Sequence, residues 1–288
     1  MTEARTMLAE GRLAGAEQSS RSYLKANPES AEAHFLLGYV LFREQKANES
    51  LAEFTEGAKY KRPRANELKV VASDYVLLSD FPDADKWFSQ VVSESPDDAD
   101  AWYLLGRTKY NENIFPQAVT SFERALALHP KYVQAENNLG LCWKELSSPE
   151  KARQAFQAAI DWQGEAPVDA QPFLNLGAML IEESQPDKAI PYLAKAAALS
   201  PENPKVHETL SDAFEAQQNL AKAQSEMERA VTLAPDASGL HFKLARIYRK
   251  EGLSEQAQKE FALCQKLNSA HSSSKTPNFS RPDSAEPQ

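Results

Sequence analysis

The feature that most limits what this chain can become is a spacing. Gly38, Ala72, Gly106, Gly140, Gly177, Ser211 and Ala245 are all small, and five of the six steps between them are 34 residues, the step from Gly140 to Gly177 being 37. Before each stands Leu37, Val71, Leu105, Leu139, Leu176, Leu210 or Leu244, and twelve residues after it Ser50, Ala84, Ala118, Ala152, Ala189, Ala223 or Ala257. Four further on come Phe54, Phe88, Phe122, Phe156, Leu193, Met227 or Phe261. A period of this size marks an array, because one such unit cannot bury its own apolar face and must stack on a neighbour. Read at helical spacing, Trp102 to Pro130 gives two short amphipathic helices joined by a tight turn. Small residues at Gly106 and Ala118 let that pair approach to about 8–10 Å, while Leu105 and Phe122 fill the space toward the next pair.

These columns resemble the tetratricopeptide repeat, a helix-turn-helix unit of 34 residues. Trp102, Leu105, Gly106, Ala118, Phe122, Ala125 and Pro130 match its pattern, and Lys109 stands where an aromatic is usual. The resemblance covers about Ser30 to Asn268 in seven units, and Ala4, Ala16 and Pro28 place a degraded unit at residues 1–29. It implies an all-α, right-handed superhelical α-solenoid whose first helices line a concave side. Extended peptides or partner helices would lie there, held by a non-catalytic interaction scaffold.

Composition narrows the function from another side. The net charge of −9 and pI near 5.2 argue against a nucleic-acid backbone as the main partner, which needs a basic stripe to displace counterions. No apolar run approaches the ~18 residues of a membrane span, and MTEARTMLAEGRLAG lacks a signal-peptide core. The expectation is a cytoplasmic protein, or a periplasmic one if an export signal lies upstream of Met1. Cys142 and Cys264 are too many repeats apart to pair. None of the 10 glycines builds a phosphate-cradling loop, and HExxH, paired CxxC and GxSxG are absent, so neither enzyme, cofactor nor metal is expected. His34, His207 and His241 share a column with Trp102 and Phe173, which favours packing over metal ligation.

Local signals agree with the register. Ser30, Asp97, Asp98 and Asn203 fall where helix caps are expected, and Pro82, Pro116, Pro149, Pro186 and Pro204 where helices begin. Val70 to Leu78 has strand propensity but helical columns, and is expected to be helix. Pro191, inside a second helix, should bend it. The long step comes from Trp162 to Pro172, expected as a longer loop. From Ser269 to Gln288 the chain is rich in Ser and Pro, without periodicity, and is expected to be disordered.

Three zones of the first-helix face are candidate contacts for a partner protein or peptide. An aromatic zone holds Phe35, Tyr39 and Phe42, joined by Tyr103, Arg107 and Tyr110, with packing against neighbouring units as the competing role for Phe35 and Phe42. A carboxamide zone holds Asn138 and Asn175, two rungs of the ladder that peptide-binding arrays of this family use to grip a ligand backbone. A charged zone sets Arg246, Arg249 and Lys250 beside Glu208, Asp212 and Glu215, where pairing between neighbouring helices competes with ligand recognition. The alternative to a groove-binding scaffold is a structural subunit that self-associates through its C-terminal repeat, because no solvating helix follows Phe261, Leu263, Cys264 and Leu267.

Overall fold

The computed structural model describes residues 1–274, with side chains through Ala270, and among the described residues the chain forms sixteen helices and no strand. They follow as α1 (Thr2–Ala9), α2 (Leu13–Ala26), α3 (Ala31–Arg43), α4 (Ala47–Ala58), α5 (Ala65–Leu77), α6 (Phe81–Glu94), α7 (Ala99–Asn111) and α8 (Phe115–Leu128). Then come α9 (Val133–Glu145), α10 (Pro149–Asp161), α11 (Gln171–Glu182), α12 (Pro186–Leu199), α13 (Pro204–Ala216), α14 (Leu220–Leu233), α15 (Ser238–Lys250) and α16 (Ser254–Ser274). Consecutive odd and even helices pack as antiparallel hairpins, an all-α helical repeat solenoid. Contacts group the chain into two compact units: five hairpins in Met1–Trp162, and three from Gln163 onward.

Each hairpin closes in the same way. Gly11, Gln45, Ser79, Asn113, Ser147, Ser184, Gln218 and Gly252 all sit at positive φ, between 53° and 79°. The next amide reaches back five residues, as Lys46 N to Leu41 O at 2.9 Å and Asn219 N to Phe214 O at 2.9 Å, the bond that satisfies a helix's last carbonyls. Second helices then start on proline at Pro82, Pro116, Pro149 and Pro186, and α12 runs unbroken through Pro191.

The small column is where the two helices of a hairpin cross. A methyl built on Gly106 would stand 2.7 Å from the Phe122 ring, on Gly140 2.6 Å from Phe156, and on Gly177 2.5 Å from Leu193. Phe88, Phe122, Phe156, Leu193 and Met227 are completely buried. Leu105 packs with Phe88 and Val91 of the preceding hairpin, whereas Phe122 packs with Ala135, Leu139 and Cys142 of the following one. In the seven full repeats serine replaces a small residue of the crossing twice, once from each side. Ser211 Oγ donates to the Ala223 carbonyl at 2.7 Å, and Ser50 Oγ donates to the Gly38 carbonyl at 2.8 Å.

Ser50 also touches Asp74 Oδ2 at 2.6 Å, and Asp74 is fully buried with its Oδ1 lacking a hydrogen-bond partner. One hydroxyl carries one proton, which the Gly38 carbonyl takes. Both contacts are satisfied when Asp74 is itself protonated and donates to Ser50 Oγ. Burial pushes the Asp74 carboxyl up to about 7; the opposing pull would need Ser50 to give its proton to the carboxylate instead of to the Gly38 carbonyl.

Val70 to Leu78 is helical apart from its last residue, because the buried Leu68, Val71 and Ala72 lie on one helical face. The Trp162 to Pro172 connection is organised by one side chain: Gln163 Oε1 accepts from Val168 N at 3.1 Å and Asp169 N at 2.8 Å, with Gly164 at φ 66°. The expectation of disorder from Ser269 fails for its first residues, since α16 continues to Ser274. No proline or glycine occurs between Ser254 and Thr276 to end it. Residues 275–288, including Thr276 and Pro277, lie outside the described residues.

Two outcomes test this packing. Gly140→Leu should lower stability by about 3 kcal/mol or more, because Phe156 has no room to retreat; an unchanged denaturation midpoint would refute the crossing. Asp74 is raised in the fold above its unfolded value, so its stabilising share is present at low pH and is lost as pH rises through about 7. As pH is raised from about 4 to about 8, Asp74→Asn should therefore lose less melting temperature than the parent chain.

Candidate functional site

In the first unit Tyr103 meets Asn138 and Arg107, and Phe42 lines the same cavity as Arg107, while Phe35, Tyr39 and Tyr110 have other partners. Phe35 is 8% exposed and stacked on Phe54 at 5.8 Å, so packing claims most of its surface. Tyr39 and Phe42 are half-buried on the same helix, their ring centroids 6.3 Å apart. On α7, Tyr103 lies 6.0 Å from Phe122 and 5.0 Å from Tyr132, and its hydroxyl accepts from Asn138 Nδ2 of α9 at 3.2 Å. The exposed Arg107 guanidinium sits 5.8 Å from the Tyr103 ring centroid. Tyr110 instead packs edge-on against Phe115 at 5.5 Å, and burial raises its phenol above the ordinary value. Lys109, in the usual aromatic's place, is held by Asp85 at 2.7 Å, so an ion pair fills that position.

Two cavities open on this face, the first bordered by α1, α3 and the linker into α5, the second by α3, α5 and α7. One of about 530 Å³ is lined by Phe35, Leu36 and Tyr39 together with Arg5, Lys61, Arg62, Arg64 and Asn66. A second of about 290 Å³ is lined by Phe42, Val76, Leu77, Leu104 and Arg107, among others. Leu77, at 46% exposed, is among the most accessible large apolar side chains. The basic rim was missed in the sequence zones because it lies on a loop rather than in a repeat column. Its signal was the run Lys59, Lys61, Arg62 and Arg64 in an acidic chain.

In the second unit the charged zone is engaged internally. Lys243 meets Glu208 at 2.6 Å and Asp212 at 2.8 Å, Arg246 lies 3.8 Å from Glu215, and Arg249 stacks over Phe261 at 5.7 Å. Burial alone would raise Glu208, but Lys243 and Lys205 outweigh it and hold the carboxyl low. At Asp212 burial wins and the carboxyl is raised. Asn175 lies half-buried on α11.

The histidine column fastens elements. His34, His207 and His241 place Nδ1 at 2.7, 2.7 and 2.6 Å from Glu53, Glu226 and Glu260, on the second helix of the same hairpin. Their Nε2 atoms lie 2.8, 2.9 and 2.8 Å from the carbonyls of Pro28, Pro201 and Pro235. Trp102 Nε1 donates to the Pro96 carbonyl at 2.9 Å, which repeats half of this clamp.

Comparison with known proteins completes the description. Models of the tetratricopeptide repeat match residues 1–65, 106–170 and 208–263, and a further one matches residues 180–231. A DnaJ homolog subfamily C member 7 homolog from Dictyostelium discoideum is 25% identical over 207 residues, which is 65% of this chain and 38% of that protein. The chain spans well under half the length of the curated relatives it matches. Among solved structures, a tetratricopeptide repeat protein from Parabacteroides merdae superposes with a TM-score of 0.68 at 16% identity, covering 89% of this chain and 96% of that one. YrrB, described as a TPR protein with an unusual peptide-binding site, does so with a TM-score of 0.51 at 19% identity, over 64% of this chain and 94% of that one. Helical hairpins in register, with the family's small and large columns meeting at each crossing and its models matching most of the chain, make this protein a member of the tetratricopeptide repeat family.

Proposed function

We propose that this protein is an interaction scaffold whose first unit holds a segment of a partner protein against the face formed by α3, α5, α7 and α9. The observation that carries the reading is Arg107. It is exposed, stacked on a tyrosine, without a carboxylate at ion-pairing distance among the described residues, and it lines a cavity whose other walls are largely apolar. An aromatic ring with an attached cation offers a large contact area and few rotors, the composition of strong anchors at protein interfaces. Tyr39, Phe42, Tyr103 and Asn138 complete the contact set, Asn138 being able to donate and accept at once. Similarity to YrrB supports peptide binding as the mode.

Tyr103→Ala combined with Arg107→Ala should abolish capture of partner proteins while leaving helicity nearly intact, with some loss of melting temperature from the Tyr103 ring's packing on Phe122 and Tyr132. If affinity capture with the double variant recovers the same partners as the parent chain, this face is not the binding surface.

A second reading, self-association through the last hairpin, is favoured by Phe242 at 47% and Leu263 at 36% exposure, an accessible apolar pair on α15 and α16. Sedimentation should then show a dimer that Leu263→Glu returns to monomer. A parent chain that is monomeric at every concentration removes this reading.

A further inference from the structure

Two departures from the repeat pattern fall on one joint. The buried position two residues beyond the small column holds Val40, Thr108, Cys142, Met179, Ala213 and Ile247, all uncharged, yet α5 places Asp74 there. The position twelve beyond the small column is alanine in every full repeat but one, which has Ser50. The two exceptions touch. Asp74 of α5 and Ser50 of α4 meet at 2.6 Å between consecutive hairpins. That joint also has a longer tether: residues 59–64 connect α4 to α5, six residues where 95–98 and 129–132 connect the next hairpins with four.

The surroundings of Asp74 are apolar, with Phe35, Phe54 and Val71 buried in one cluster across the joint and Tyr75 and Trp87 beside it. Charges on the helices packed against α5 are spent elsewhere. On α3, Glu32 and His34 meet Lys61 and Glu53; on α4, Glu49 and Glu56 meet Arg21 and Lys59. On α5 itself, Lys69 pairs with Asp98 and Glu67 accepts from the Arg64 amide; on α6, Asp85 pairs with Lys109 and Glu94 with Arg62. Tyr39, Arg43, Tyr75, Asp83 and Lys86 are the other titratable side chains of these helices. None of them acts on the Asp74 carboxyl, which among the described residues is governed by burial and by Ser50.

We infer that Asp74 and Ser50 form a proton-operated latch: with its proton the carboxyl donates to Ser50 Oγ and closes the hairpin of α5 and α6 onto that of α3 and α4, and loss of the proton opens this joint while the other hairpins stay packed. A carboxylate in the closed joint would leave Oδ1 unpartnered and would compete with the Gly38 carbonyl for the single Ser50 proton. It is stable only where water reaches it, and water reaches it only if α5 parts from α4. The longer linker allows that without unwinding either helix. The second cavity straddles the same joint, with Phe42 of α3 on one side and Ser73, Val76 and Leu77, close to Asp74 on α5, on the other. The latch therefore sets the width of that cavity, yet it stands on the joint alone and survives if the binding reading above fails.

The sign follows from the carboxyl, which lies at about 7 in the closed joint and at about 3.9 once solvated. Opening releases a proton between those values, so it becomes easier by about tenfold per pH unit from about 4 to about 7 and then levels off. Hydrogen exchange of the full chain, corrected for intrinsic rates, reads this between about pH 5 and about pH 7. Protection of the α5 amides from Val71 to Leu77 should fall about tenfold per pH unit, while that of α9 and α10 stays level. In Asp74→Asn, whose carboxamide can donate to Ser50 Oγ at every pH, α5 protection should stay level too. Protection of α5 that ignores pH, that falls equally in α5, α9 and α10, or that keeps its slope in Asp74→Asn overturns the latch. If Asp74→Asn does not fold, the contrast between α5 and the later helices of the parent chain decides alone.

Discussion

Everything in this protein depends on how closely two helices can cross. In the seven full repeats the first helix offers a small residue and the second a phenylalanine, leucine or methionine, which at Gly38, Gly106, Gly140 and Gly177 lies directly on it. The ring then has atoms on both sides: its own hairpin below, and the next hairpin's alanines and leucines above. One contact thus serves as the interior of a hairpin and as part of the cement between hairpins. That is why the repeat cannot be shortened to a free-standing unit. Where serine stands in the small pair of a crossing, its hydroxyl reaches a carbonyl across the joint, as at Ser50 and Ser211.

The first-helix face inherits its geometry from that joint. With the crossings fixed, successive first helices lie beside one another, and the residues that point away from the large column are set in rows. Tyr39, Phe42, Arg107 and Asn138 belong to those rows and are not needed for the crossings themselves. The histidine clamps act at the other end of the same helices. By joining a first helix to its second helix and to the proline of the preceding linker, each ring sets where the first helix begins.

Much of this was legible in the sequence because the repeat imposes periodicity, and periodicity survives without coordinates. The seven small residues, the large column, the helical nature of Val70 to Leu78 and the longer loop after Trp162 all followed from counting. What was not legible is what the repeat does not enforce. The Asp74–Ser50–Gly38 chain joins three helices through side chains that belong to no common column. The basic rim lies on a linker, the part of a repeat least constrained in residue type. The pairing of Tyr103 with Asn138 joins two zones that the columns had kept separate, because a tyrosine hydroxyl reaches across a whole repeat. The end of α16 was misplaced for a simpler reason: loss of the apolar pattern removes a reason for packing but not for helix formation.

The turn column distributes backbone strain unevenly along the array. Of its eight left-handed residues only Gly11 and Gly252 are glycines, and they occupy the first and last hairpins. Elsewhere glutamine, serine or asparagine holds a conformation that costs residues with a Cβ on the order of 1 kcal/mol. At Gln45, Ser79, Asn113, Ser147, Ser184 and Gln218 the fold therefore stores backbone strain that the packing of the flanking helices must hold in place, whereas Gly11 and Gly252 make the same bend without it.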